Sequence, residues 1–438
     1  MKILTKHANE WIMIIVLILI GAYITYATTE KSHPEDAAAG TQVAGAILED
    51  ASHPVVVVIG TGKQTEFVAA AESALLAAGG KVTTAIGGPQ EARTTLEKLQ
   101  QEGSKVTHIA CVKEVANWGL ISNFRTNFPE LASAGIVVPD SVNRSPFLER
   151  SNILNLADRT ATIGIIAIGM TMIIITAGID LSVGSLVALS AVISAWILEA
   201  KFGGTGATVT QMIMASGIAI LVCGIFGFAS GSLVTCVGVS PFIVTLVFMM
   251  VARGLAFIIS KNESISETPE SFGWLGQGKV MMMPIPALLM VILFVLFHIL
   301  MTRTVLGRYI YAVGGNREAA RLSGVPVSSV LLFVYTVTGI LAGVVGIITA
   351  SRFGTGKATF GDMMELDVIA AVVIGGTSLF GGEGRLTGTF IGSLLIVVIR
   401  NGMNLLGIKD NEQPVVLGIV ILGAAIVDTI GKRRRGMV

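Results

Sequence analysis

The chain has 438 residues, of which 53% are hydrophobic and 13% charged. An ordinary soluble domain carries about 25% charge, so a typical cytosolic enzyme and a disordered protein are both excluded. The net charge of +1 gives no global attraction for nucleic acid, and three cysteines without metal spacing give neither a disulfide framework nor a metal site.

A membrane-spanning helix needs about 20 apolar residues. In chain order the candidates are Trp11–Ala27, Thr160–Ile179, Leu181–Leu198, Gln211–Leu233, Phe242–Ser260, Pro284–Met301, Val327–Ala350, a short one at Leu366–Leu379, Leu386–Leu406 and Val415–Ile430. The Asp180 region and the short eighth stretch read as re-entrant or broken helices. The 51 glycines have no collagen-like period and suit close packing of membrane helices. Thr25-Tyr26-Ala27 is a poor signal cleavage site, so the first span reads as an uncleaved anchor.

Charge is unevenly spread. Thr29–Ala157 holds about 24 charged residues, against about 32 from Asp158 to the end, a stretch more than twice as long. The expected organisation is a first membrane helix over 1–28, an α/β insert over 29–144, a membrane body over 145–431 and a basic tail over 432–438. Lys2 and Lys6 precede the first span, Arg303, Arg308, Arg317 and Arg321 follow the sixth, and Lys432–Arg435 follow the tenth. With ten spans these cations share one side, which is then cytoplasmic. Both termini are expected inside and residues 29–157 in the periplasm.

Inside the insert, Val55–Ile59, Lys81–Ile86, Val106–Val112 and Gly135–Pro139 read as strands. Lys63–Ala78, Pro89–Gln101 and Val115–Phe124 read as helices between them. Alternation of this kind implies a parallel sheet covered on both faces. The fold class expected for the whole chain is thus an all-α polytopic membrane protein with an inserted extracytoplasmic α/β domain (βαβαβ). Gly60-Thr61-Gly62-Lys63 is no phosphate loop, because Val57 and Gln64 occupy positions that need Gly and Ser or Thr. His53, His108 and Cys111 read as structural. The order of elements resembles one lobe of a periplasmic sugar-binding protein. Such proteins close two lobes on a ligand and place a polar and aromatic cluster after the first strand. Lys63–Phe67 shows none, so independent ligand binding by the insert is not expected.

In the body, Ala167-Ile168-Gly169-Met170-Thr171 leads through Thr176-Ala177-Gly178-Ile179 to Asp180-Leu181-Ser182-Val183-Gly184-Ser185. An acid at a break between apolar runs is costly unless solvated or paired. Asp180 with Ser182 suits the cap of the following helix, and a place in a substrate path is the other reading. Further motifs are Ser240-Pro241-Phe242-Ile243-Val244-Thr245-Leu246 before Arg253-Gly254, Leu306–Asn316, Glu318–Gly324, Glu365–Leu379 and Asn401–Gly407. Together they resemble the ribose-type ABC sugar permeases, within the larger family that includes branched-chain amino-acid permeases. The resemblance covers about Ser145 to Asp428 and the first helix.

The resemblance implies a permease subunit and not an enzyme, with no catalytic residue, metal or cofactor of its own. ATP and Mg would be held by partner ATPase subunits, and a periplasmic binding protein would deliver a ribose-like pentose or hexose. A second permease copy and membrane lipid would complete the assembly, in a bacterial inner membrane. Glu318, Ala319, Ala320, Arg321, Leu322, Ser323 and Gly324 match the coupling helix that docks on the ATPase. Candidates for the translocation path are Thr171, Asp180, Ser182, Ser185, Arg253, Asp367, Asn401 and Asn404. Asn401 and Asn404 share a helix face and suit either a sugar or a neighbouring helix. Arg400 departs from the small or polar residue expected before Asn401. Gly375-Gly376-Thr377-Ser378 and Gly381–Arg385 read as turns of the pore or of the ATPase interface. Other solutes, such as a nucleoside, a signalling sugar or an amino acid, remain open alternatives, as does a non-transporting receptor that uses the insert as a sensor.

Overall fold

A computed structural model describes residues 8–434; Lys2, Lys6 and the tail from Arg435 lie outside the described residues. The chain divides into two compact units, one formed by Thr29–Ser145 and the other by the helices before and after it. The first helix, α1, covers Ala8–Ala27.

In the smaller unit, β1 (Glu30–Ser32) pairs antiparallel with β6 (Val142–Arg144), so the two ends of the segment are hydrogen-bonded together. Between them lie α2 (Ala37–Asp50), β2 (Val55–Gly60), α3 (Thr65–Ala77), β3 (Lys81–Ile86), α4 (Pro89–Gln101), β4 (His108–Cys111) and β5 (Gly135–Val137). The sheet order is β3-β2-β4-β5 and every pairing is parallel. Burial on both faces explains the unbroken apolar run of β2; Val56, Val57, Val58 and Ile59 are all buried. The stretch read as one helix over Val115–Phe124 is three short helical turns, at Lys113–Ala116, Gly119–Ser122 and Phe124–Asn127. Helix α2 is an addition to the sequence reading. Its start is set by Asp36, whose Oδ1 accepts from the Ala39 N–H at 3.0 Å.

The larger unit is mainly helical, with one short antiparallel pair of strands at Lys279–Val280 and Met283–Pro284. It comprises α5 (Arg150–Ile175), α6 (Val183–Phe202), α7 (Val209–Ser232), α8 (Pro241–Ser260), α9 (Ile285–Arg303), α10 (Val305–Gly315) and α11 (Arg317–Leu322). Then follow α12 (Val327–Phe353), α13 (Met364–Ile374), α14 (Leu386–Leu405) and α15 (Gln413–Arg434). Among the described residues, eight helices are long and apolar enough to cross a membrane: α1, α5, α6, α7, α8, α9, α12 and α14. The chain is thus a polytopic helical membrane protein. Helix α13 has 11 residues, roughly 16 Å at 1.5 Å per residue, which is half of a bilayer core.

The helices fall into two groups. Helices α5, α6, α12 and α14 are mostly buried, whereas α1, α7, α8 and α9 keep one apolar face exposed. That exposed face carries Ile213, Leu221 and Phe228 on α7, Met250 and Ile258 on α8, and Ile292 and Leu296 on α9. Apolar side chains on the outside are the expected surface toward lipid, where no hydrophobic force drives them inward. Where helices cross inside the unit, they meet through small residues. A Cβ at Gly339 of α12 would strike the Cys223 carbonyl of α7, and one at Gly227 of α7 would strike the Tyr335 carbonyl of α12. Backbones that approach this closely permit only glycine at the crossing.

Helix α5 starts ten residues before the apolar run that announced it, at Arg150 instead of Thr160, and it ends at Ile175 instead of Ile179. Its early stop has a local cause: Ala177 takes a left-handed conformation (φ 57°).

Candidate translocation path and coupling arm

The first break in the helical body is the link between α5 and α6. The last carbonyls of a helix have no partner within it, and here outside groups supply them. The Gly382 N–H donates to the Ile175 carbonyl at 2.9 Å. Arg317 Nη2 donates to the Thr176 carbonyl at 3.0 Å. Asp180 is buried, and its Oδ1 accepts from both the Ser182 N–H (2.8 Å) and the Ser182 hydroxyl (2.6 Å). Asp180 thus shapes the entry into α6. Ser185 is buried one turn further on. Thr171 is buried in α5, donates to the Ala167 carbonyl (2.6 Å) and shares a 2.7 Å hydrogen bond with Thr389 of α14. Both Thr171 and Asp180 are therefore occupied by the protein's own groups.

The second break is residues 354–363, between α12 and α13. Gly354 and Gly361 have φ of 61° and 67°, and Met363 has 59°. Gly356 lies against Ala191 and Ala195 of α6, and Gly361 lies against Gly184 and Val187. The non-helical chain therefore runs back along α6 for some two to three helical turns before α13 begins, about 12–16 Å at the helical rise. Arg253 of α8 holds it, with Nη1 donating to the carbonyls of Ala358 (2.6 Å) and Phe360 (2.8 Å). Charge-assisted bonds of this kind satisfy backbone groups that the broken helix leaves without partners. Lys357, Thr359 and Asp362 on the same segment are exposed.

Asp367 in the first turn of α13 is paired with Arg400 of α14 at 2.6 Å. The unexpected arginine at position 400 thus has a definite partner. Asn401 and Asn152 of α5 exchange two hydrogen bonds, at 2.7 and 3.1 Å, and Asn404 accepts from Gln413 at 2.6 Å. Each asparagine thus bonds a residue of another helix. Asn152, and the 2.6 Å ion pair of Asp158 with Arg352 that joins α5 to α12, were not singled out in the sequence. Their one available signal was a charged or amide residue at the margin of an apolar run.

Glu318–Leu322 of the stretch expected to be a coupling helix lie in α11. Asn316 caps it, its Oδ1 accepting from the Ala319 N–H at 2.9 Å. Glu318 and Arg321 pair at 2.7 Å on the exposed face, Ala320 is buried, and Leu322 is 84% exposed. Ser323 ends the helix, and Gly324 turns the chain with φ of 83°. A six-residue helix that keeps its last apolar side chain in the open is suited to a partner's groove. The preceding α10, not distinguished from loop in the sequence, carries Tyr311, whose hydroxyl donates to the Gly384 carbonyl at 2.8 Å. Beside it lies a cleft of about 720 Å³ lined by Glu10, His298, Tyr311, Glu383 and Arg385, among others.

The family described as branched-chain amino acid transport system, permease component, matches residues 152–425. The chain belongs to this family. The ribose import permease RbsC of Escherichia coli strain K12 is 40% identical over 286 residues, covering 64% of this chain and 87% of that protein. The RbsC permease of Bacillus subtilis strain 168 is also 40% identical, over 67% of this chain and 89% of its own. The D-allose transport system permease AlsC of Escherichia coli strain K12 is 34% identical over 67% of this chain and 88% of its own. No solved structure matches. The chain is thus a ribose-type ABC permease, a membrane component whose ATP hydrolysis belongs to a separate subunit. The family match begins after the α/β unit.

Proposed function

We propose that this permease forms the path of an ATP-driven importer for a monosaccharide, a ribose-like pentose or a hexose. The observation that carries the reading is the broken element at 354–363. It runs along the buried helix α6, yet presents Lys357, Thr359 and Asp362 as exposed side chains. Polar groups at that depth are tolerated where they face water or a substrate path, not lipid. Discontinuous helices are also where transporters place binding sites. The names of the relatives, which specify ribose and allose, support the choice of sugar.

In this reading α11 docks on an ATPase subunit that holds ATP and Mg. Two permease copies pair around one path, and a binding protein delivers the sugar. The shell of exposed apolar residues faces lipid and the second copy. Both termini lie in the cytoplasm and the α/β unit lies outside, with α13 and α15 completing the passage of the chain through the membrane. ATP-driven closure of the ATPases then switches the path between two discrete states.

Proteoliposomes holding the full transporter test the reading, with labelled ribose and allose measured beside a nucleoside and an amino acid. Sugar uptake that needs ATP is the expected result, and uptake of only the other solutes overturns the substrate assignment. Glu318→Arg is expected to weaken retention of the ATPase and to abolish uptake, and normal uptake would sink the docking role of α11. Deleting residues 39–138 and measuring uptake together with capture of the binding protein assigns the α/β unit.

A further inference from the structure

We propose that Arg317 is the positioning residue through which movement of α11 reaches the break between α5 and α6. The inference rests on the reading of α11 as the docking helix and goes beyond it to the residue that transmits the motion.

Arg317 is the first residue of α11, directly after its cap Asn316. Its main chain therefore moves with the docking helix, while its guanidinium bonds the Thr176 carbonyl at the C-cap of α5. A cation there is favoured twice, by the unsatisfied carbonyl and by the negative end of the helix dipole. The connection is reinforced from the last turn of α10. Gly314, two residues before Asn316, lies so close to the end of α5 that a Cβ there would strike the Ile175 carbonyl and approach the Gly382 nitrogen. Gly382 is the residue that supplies the Ile175 carbonyl. The arm made by α10 and α11 thus grips two successive carbonyls of α5, one through the Gly382 N–H packed on Gly314 and one through Arg317.

What lies immediately beyond is the non-helical link between α5 and α6. Ala177 is left-handed, and Asp180 and Ser182 form the turn into α6. Helix α6 in turn borders the non-helical segment through Gly184 and Gly361. A displacement of α11 that carries Arg317 with it pulls on the last turn of α5 and opens or closes this turn. The Gly314 contact is steric and resists only approach. Tyr311 reaches this region through the Gly384 carbonyl, whereas Arg317 bonds the end of α5 directly, so it carries the pull as well as the push.

The test uses the complete transporter with its ATPase, reading ATP hydrolysed and sugar taken up in the same proteoliposomes. Arg317→Gln is expected to keep the ATPase bound and hydrolysing while sugar moved per ATP falls about tenfold, a typical magnitude for a lost coupling contact. Arg317→Lys, which keeps a cationic donor, is expected to recover part of that ratio. It also carries the test if the glutamine variant does not assemble. An unchanged ratio, or hydrolysis and uptake that fall in proportion, overturns the proposal. Loss of the ATPase from the Arg317→Gln complex also overturns it, because Arg317 would then be a docking residue. Glu318→Arg run in parallel separates the two ideas: if it retains the ATPase and full uptake, the docking role of α11 fails, whatever Arg317 does.

Discussion

Consider the replacement of Arg400 by Met. In the folded protein the guanidinium lies 2.6 Å from Asp367, and the two side chains are 29% and 13% exposed. Neither is open enough for water to screen the pair as it would at a surface. Charges about 4 Å apart attract by about 4 kcal/mol at an effective dielectric of 20. Removing one member of a buried pair costs about 3–5 kcal/mol, because the other charge stays buried without compensation. One detail pulls the figure down: Arg400 Nε is itself buried without a hydrogen-bond partner, and losing that group relieves a penalty of about 1 kcal/mol. The expected loss for Arg400→Met is therefore about 3 kcal/mol. Asp367→Asn alone is expected to cost about 2–3 kcal/mol, since it strands the cation. The double variant is expected to lose less than the sum of the singles by about 2–4 kcal/mol. Reversible unfolding of the purified permease in detergent-titrated mixed micelles measures all three. A coupling below about 0.5 kcal/mol, the value of an exposed ion pair, would refute the argument that this contact fixes α13 against α14.

Other consequences are open to equally direct measurement. Gly339→Val forces the backbones of α7 and α12 apart, and overpacking of this kind costs about 1–3 kcal/mol or more; a lower melting temperature of the purified permease is expected, and wild-type stability would contradict the close approach. Arg253→Gln removes the two charge-assisted bonds that hold residues 358 and 360, so faster hydrogen exchange across 354–363 and reduced uptake are expected. Equal protection in the variant and the parent would show that Arg253 does not hold the segment. Burial pushes the Cys111 thiol up to about 12 from 9.0. The folded state thus keeps its proton more tightly than the unfolded one. Its contribution to stability is complete below pH 9 and is lost as pH rises toward 12, by about 1.4 kcal/mol per unit in between. At pH 8 alkylation of Cys111 should therefore await denaturation, and mass spectrometry that finds native Cys111 modified would contradict its burial.

Most of the membrane helices were legible because a long apolar run is a local property. Any sequence of about 20 such residues must satisfy its backbone internally once in lipid. The break at Asp180 was equally local, since an acid between two apolar runs cannot continue a lipid-exposed helix. The short run at 366–379 announced a discontinuous element but not its route. The non-helical stretch before it is polar, and nothing in its own residues says that it folds back along α6. Helix α10 escaped notice because its 11 residues carry three glycines, which depress helix propensity.

By itself, then, the sequence determined the class of protein, the apolar spans and the family motifs around Asp180, Glu318 and Asp367. The tertiary structure alone decided what the polar residues do. Asp367 meets Arg400 across 33 positions, Arg317 reaches Thr176 across 141, and Asn401 meets Asn152 across 249. A charge inside an apolar run states only that some partner must exist. Which partner it has depends on which helices become neighbours, and in this body the glycine-lined crossings of α7 with α12 and of α6 with the 354–363 segment set that arrangement.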